Sequence, residues 1–144
     1  AIERFQLFNN RYPDSELVTE SASRIDELRN KLARKTYEAA RFYLRTERYE
    51  AATIYFEQTI DQYPESKWAE HALVDQIETF ITYADNSVLA RQAERYTEAI
   101  EGYETFLQLF PESDMRGKVE NLHDEAQRKL SDISDSVTEN TDQN

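Results

Sequence analysis

Apolar side chains recur along the chain at the three- and four-residue spacings that place them on one face of an α-helix. One such stripe follows Pro13 and consists of Ile25, Leu28, Leu32, Ala39 and Phe42. A second follows Pro64 and consists of Leu73, Ile77, Phe80, Ala84 and Val88. No glycine or proline interrupts either stripe, so each segment predicts one long helix.

Polar side chains mark a weak point near the end of the second stripe. The side chains of Asp85-Asn86-Ser87 compete for backbone hydrogen bonds, so the second helix is either continuous through this triplet or broken at it. A third stripe predicts a final helix from Met115 to about Ile133 and consists of Val119, Leu122, Ala126 and Leu130.

A four-position motif occurs three times and predicts how the helices pair. Its copies are Ala1, Phe5, Phe8 and Pro13; Ala52, Phe56, Thr59 and Pro64; and Ala99, Tyr103, Phe106 and Pro111. The small alanine lets two helices approach closely, the aromatic ring one turn later fills the groove between them, and the proline ends the helix. A predicted turn before the motif also recurs, as Glu47-Arg48-Tyr49 and Glu94-Arg95-Tyr96.

Alanine followed by an aromatic residue and then proline is typical of tetratricopeptide repeats, whose period is about 34 residues. The prolines here are 51 and 47 residues apart, and we assign the extra length to the first helix of each pair. The predicted fold is all-α: a tetratricopeptide-like α-solenoid of antiparallel helix pairs with elongated first helices, over residues 1–133. Residues 134–144 are predicted to form a disordered acidic tail. Because Ala1 already occupies a second-helix position, we expect the chain to begin inside a larger solenoid.

Composition narrows the possible functions. Two glycines and three prolines in 144 residues are too few for the turns of a β-rich fold. A formal net charge of -12 argues against nucleic-acid binding, which depends on lysine and arginine at the phosphates. The absence of cysteine excludes disulfides and thiolate metal sites, and no apolar run is long enough to span a bilayer.

One segment runs against this acidic balance. Residues 24–48 contain eight basic and four acidic side chains. Helical spacing aligns Arg34, Arg41, Arg45 and Arg48 on one face, which is either an ordinary solvated face or a docking ridge for an acidic partner. Tyr55 is expected to point away from its helix partner, where it would contact either a binding partner or the neighbouring repeat. We therefore name Arg41, Arg45, Arg48 and Tyr55 as candidate partner-binding residues.

Other side chains favour ordinary structural roles. Trp68 is expected to pack between repeats. Glu94, Glu98, Glu101 and Glu104 form an acidic stripe that we interpret as a solvated helix face, with Arg95 offsetting part of the repulsion. The two histidines lack metal-ligand spacing, and two glycines cannot form a phosphate-binding loop. No catalytic residue, metal or cofactor is predicted, and the chain is not expected to be an enzyme.

The segment from Leu32 to Ser66, with a long helix that ends in Ala40-Arg41-Phe42-Tyr43 and is followed at once by a Tyr-x-x-Ala helix, carries a resemblance. It resembles the C-terminal half of the BamD family, the tetratricopeptide lipoproteins of the outer-membrane β-barrel assembly machinery. The resemblance covers roughly residues 1 to 130. Tyr55 departs from it, since some members present an arginine near this position.

The resemblance implies a scaffold at the periplasmic face of the outer membrane, held there by an N-terminal lipid anchor that is absent from these residues. It implies docking to the POTRA region of BamA, contact with other subunits of the machinery and with unfolded outer-membrane proteins, and support for their insertion. The alternative is another periplasmic tetratricopeptide adaptor, of the Tol-Pal-associated cell-division coordinator type. Repeats of that type also end in Tyr-Pro-Asp-Ser, but spacings of 51 and 47 fit their shorter period poorly.

Overall fold

The computed structural model describes residue 2 and residues 16–142 of the chain. The segment 16–142 folds into helices without a β-strand, which confirms the all-α prediction. Its five helices are α1 (Glu16–Arg45), α2 (Tyr49–Gln62), α3 (Lys67–Asp85), α4 (Leu89–Leu109) and α5 (Arg116–Asp142). The first copy of the repeat motif, formed by Ala1, Phe5, Phe8 and Pro13, lies outside the described residues.

The helices stack in chain order. Each packs against the next, and α3 also contacts α1 on one side and α5 on the other. Helices α2 and α4 have no contact with each other. Each inner helix thus packs between its neighbours in sequence, and α3 alone among the described helices also meets both helices two places away, which is compatible with a tetratricopeptide-like solenoid.

The second and third copies of the motif form the centre of this packing. Ala52 and Ala99 have no exposed surface, and Phe56 and Phe106 are equally buried. Tyr103 is half-buried and stacks on His123 of α5, with 4.1 Å between the ring centroids. Small side chains at closest approach and rings beside them match the predicted division of roles.

Both prolines follow a helix end of the same geometry. Tyr63 before Pro64 and Phe110 before Pro111 have nearly equal dihedrals, with φ of -131° and -132° and ψ of 54° and 56°. Each donates its backbone N–H to a carbonyl four residues earlier. The two turns therefore repeat in structure as they do in sequence, and Ser66 then caps α3 by accepting the N–H of Ala69.

The second long helix is broken at the triplet. Helix α3 ends at Asp85, Asn86 donates its side-chain amide to the carbonyl of Thr82, and Ser87 donates its hydroxyl to the carbonyl of Tyr83. These bonds take over carbonyls at the end of α3, as expected for side chains that compete with the helix. Val88 does not continue the apolar stripe, because it is 71% exposed.

Two predictions about helix length are corrected by this break. The predicted turn at Glu94-Arg95-Tyr96 is wrong, because these residues lie inside α4. The first helix is longer than its partner in one pair only: α1 has 30 residues against 14 in α2, whereas α3 has 19 against 21 in α4. The extra residues of the second pair therefore belong to its second helix.

Helix α1 buries only part of the predicted stripe: Ile25 is buried and Leu28 and Ala39 are partly buried, but Leu32 and Phe42 are not. Its buried side chains are Ser21, Ile25, Ala33 and Ala40, whereas Leu32 and Phe42 are 40% and 52% exposed. Alanines permit closer approach to α2 and α3 than leucine or phenylalanine would. The two larger side chains are left at the surface.

The last helix differs from the predicted disordered tail. Helix α5 continues through residues 134–142, and all of these side chains are exposed. No glycine or proline follows Gly117, and Ser136, Thr138 and Thr141 donate their hydroxyls to carbonyls one turn earlier. This end of α5 is helical through local bonds alone. Among the described helices, none has the length and apolar character needed to cross a membrane.

Candidate protein-binding surface

Three predicted binding arginines lie where α1 turns into α2. Helix α1 ends at Arg45, and Glu47 adopts the left-handed conformation with φ 60°. The backbone N–H of Arg48 donates to the carbonyl of Tyr43 at 2.9 Å, which closes the turn. The turn holds Arg45 and Arg48 at the same end of the helix pair.

Arg41 does not project freely from this surface. Its Nη1 lies 3.6 Å from Oδ2 of Asp75 on α3, whose side chain is only 13% exposed. The same carboxylate accepts a hydrogen bond from the hydroxyl of Tyr37. Burial, followed by the bond to Asp75 and its negative charge, raises the pKa of Tyr37 above its ordinary value. Arg41 therefore connects α1 to α3, and its charge is largely matched within the fold.

Arg45, at the end of α1, and Arg48, in the turn after it, differ from the earlier arginines of α1. Both are exposed, and within residues 16–142 neither has an acidic partner. By contrast, Arg29 pairs with Glu65 and Arg34 with Glu38. At this end of the helix pair, the charges of Arg45 and Arg48 therefore remain available to another molecule, as does that of the exposed Lys35 earlier on α1.

Phe42 adds an apolar side chain beside these charges, and the sequence pattern did not identify it as a surface residue. It lies three residues before Arg45, hence on the same face of α1. We call Phe42, Arg45 and Arg48 the arginine turn. The sequence did not show that Phe42 is at the surface, because Phe42 also fits the apolar stripe that was expected to be buried.

The orientation predicted for Tyr55 is wrong. Its ring stacks on Tyr43 of α1, with centroids 5.1 Å apart and an angle of 24° between the planes, so it faces its helix partner. Tyr43 in turn meets Phe42 edge-on at 5.7 Å. Tyr55 remains half-exposed, and it supports the rings next to the arginine turn. A direct role for Tyr55 in partner binding stays a prediction.

Trp68 joins helices α1 and α3. Its ring lies 5.3 Å from that of Tyr37, between centroids, and Nζ of Lys67 lies 4.9 Å from its centroid. Its Nε1 is buried without a hydrogen-bond partner among the described residues. These contacts agree with the packing role that was expected.

Arg95 does not offset the repulsion within the acidic stripe of α4 as predicted. The guanidinium of Arg95 lies 3.7 Å from the ring centroid of Tyr83 and donates to its hydroxyl, so it is directed toward α3 rather than along the stripe. Burial, followed by repulsion from Glu101, Glu94 and Glu57, raises the pKa of Glu98. In residues 16–142, no three acidic or histidine side chains converge in a way that could hold a metal ion.

Stacked helix pairs with an exposed, charged turn define a helical-repeat protein of the tetratricopeptide type, a class whose surfaces bind other proteins. The profile of the YfiO family, described as outer membrane lipoprotein, matches residues 1–92, and the chain belongs to this family. The resemblance to the BamD family is thereby confirmed at the family level, while its extension over residues 93–130 stays a prediction. No curated protein matches the chain. Family membership indicates a role in outer-membrane assembly that involves protein partners.

Proposed function

We propose that the chain is a non-catalytic scaffold of the outer-membrane β-barrel assembly machinery. In this proposal it docks the periplasmic POTRA region of BamA, meets other subunits and unfolded outer-membrane proteins, and supports the folding and insertion of those proteins. Its membrane contact is an N-terminal lipid anchor on the periplasmic face of the outer membrane. Membership of the outer membrane lipoprotein family supports the compartment.

One observation carries the docking proposal: Arg45 and Arg48 have no acidic partner in the described chain, and they lie beside an exposed phenylalanine. Arginine and aromatic side chains are enriched among the residues that contribute most to binding. Because surface charges guide association and orientation, the partner is expected to present carboxylates around an apolar pocket for Phe42. Arg41 is expected to contribute less to partner binding, because it already forms an ion pair with Asp75.

Charge reversal at the arginine turn tests this proposal. We expect Arg45→Glu with Arg48→Glu to weaken binding to the purified POTRA region of BamA by at least about tenfold, which is about 1.4 kcal/mol. Isothermal titration calorimetry at about 0.1 M and about 1 M salt measures this effect, and the difference between the variants should shrink at the higher salt.

Arg116→Glu with Arg128→Glu is the matched control. Both arginines are exposed and lie on α5, which contacts neither α1 nor α2, so the change in net charge is the same on a helix away from the arginine turn. The control should bind like the unmodified chain, and circular dichroism should show that both variants stay folded. Equal affinity of the two double variants at low salt would show that the arginine turn is not the docking surface.

A further inference from the structure

A groove runs between α2 and α4 and is floored by α3. It has a volume of about 460 Å³. Leu73 and Phe80 of α3 and Ile60 of α2 provide its apolar interior. Ile54 and Leu109 stand at its two rims and are 51% and 50% exposed.

The groove follows from how closely the helices pack. Since α2 and α4 have no contact with each other, the surface of α3 between them stays open. Gly102 lets α4 lie directly on α3, because a Cβ atom at this position would be 2.7 Å from Cγ1 of Ile77. The groove therefore results from the packing of α2 and α4 on the same helix, α3.

Carboxylates line both walls of the groove. Glu57 and Asp61 stand on α2, Glu98 and Glu101 stand on α4, and no basic side chain lines the groove. Within the described chain, none of these four acids forms an ion pair, whereas Gln76 donates to Glu57 and to the carbonyl of Thr53 and so fixes the first carboxylate. The raised pKa of Glu98, caused by burial and by acids on both walls, agrees with a surplus of negative charge here.

From this combination we propose that the groove binds a basic amphipathic segment of a partner protein, with aliphatic side chains on the floor and lysine or arginine at both walls. Apolar side chains at helical spacing fit an open hydrophobic channel, and cations on either side would relieve the repulsion between the acids. A hard cation alone is disfavoured, because these carboxylates do not converge to coordinate one. The groove shares no residue with the arginine turn, so this second site goes beyond the proposed function.

The test uses a fluorescein-labelled synthetic peptide in which leucines and lysines are placed to form an amphipathic helix. Fluorescence anisotropy should show saturable binding to the chain. A peptide of the same composition without an apolar face, and one with glutamate in place of lysine, should each bind at least tenfold more weakly. If the scrambled basic peptide bound equally well, the attraction would be general electrostatics and the proposal would be wrong.

Two variants locate the site on the chain. Glu98→Gln with Glu101→Gln should weaken peptide binding at least tenfold, and so should Ile54→Ser with Leu109→Ser, which leaves the charge unchanged. Glu104→Gln with Glu112→Gln is the matched control, because these exposed acids lie outside the groove. An equal loss in the control would overturn the proposal.

Two further measurements separate the remaining outcomes. The Arg45→Glu, Arg48→Glu variant should still bind the peptide, so a failure of BamA docking and a failure of the groove are distinguishable. Sedimentation velocity tests whether a second copy occupies the groove: self-association that disappears in the Ile54→Ser, Leu109→Ser variant would replace the basic partner by another copy of this chain. A monomer that binds the peptide supports the proposal.

Discussion

At the residue scale, a few side chains determine how closely the helices pack and which charges remain free. Asp75 shows the second effect, because its carboxylate forms an ion pair with Arg41. Arg45 and Arg48, further along the same segment, form no ion pair among the described residues. From helical spacing alone, these three arginines were predicted to lie on one face and to be equally able to bind a partner. Their difference depends on a carboxylate of α3, which periodicity within α1 cannot locate.

The two glycines show how a single residue determines the distance between helices, and they lead to a prediction. Gly102→Ala should destabilise the fold by about 1–3 kcal/mol, because the new Cβ would lie 2.7 Å from Cγ1 of the fully buried Ile77. Gly117→Ala is the control: nothing lies within 4 Å of its Cβ, so improved helix propensity should stabilise by up to about 1 kcal/mol. Urea unfolding midpoints measure both, and a shift of the same sign in the two variants would contradict the close approach of α4 to α3.

At the scale of helices, local signals in the sequence predicted the repeated turns well. The proline motifs located the ends of α2 and α4, because proline and the capping serines act through their own backbone neighbours. The match between Glu47-Arg48-Tyr49 and Glu94-Arg95-Tyr96 was misleading. The competing side chains of Asn86 and Ser87 end α3 first, and α4 then runs through the second triplet.

Tertiary features of the helices could not be predicted in the same way. The groove exists because α2 and α4 stay apart, and no pattern within one helix reports the distance to another. The acidic stripe was predicted to be a solvated face. All four of its glutamates are exposed, in agreement with that prediction, but the sequence did not show that Glu98 and Glu101 also line the groove, opposite the acids of α2.

The acids that face each other across the groove should make the stability of the fold depend on pH. The pKa of Glu98 is raised by burial and by repulsion from Glu101, Glu94 and Glu57, so ionisation costs more in the folded state than in the unfolded state. Stability from this group is present below the unfolded pKa of about 4.3 and is lost as pH rises through the folded pKa. Glu98→Gln should therefore raise the melting temperature at neutral pH and leave it unchanged near pH 4. Glu104→Gln serves as the control, and an equal gain for Glu98→Gln at both pH values would show that its charge is not the cause.

At the scale of the whole molecule, the net charge of -12 conceals two surfaces of opposite character. The arginine turn, between α1 and α2, is basic with an apolar ring, whereas the groove, formed by α2, α3 and α4, is acidic with an apolar floor. The two proposals together predict that the chain holds two partners of opposite charge at once, since neither proposed site uses the other's residues. Added salt should weaken both interactions, because each depends on exposed charge.

The end of α5 tests how far the packed molecule extends. The helix reaches Asp142, but every side chain from 134 to 142 is exposed. The partly buried side chains that pack this end of the chain against the core are Met115, Leu122, Leu130 and Ile133. Isolated helical ends without packing contribute little to stability. Deleting residues 134–144 should therefore leave the thermal midpoint within about 2 °C of the full chain, since surface changes rarely exceed about 0.5 kcal/mol. Differential scanning calorimetry measures this, with Leu130→Ala as the positive control because that side chain packs on the core. A large drop on deletion would mean that the terminal turns pack against the rest of the chain in solution.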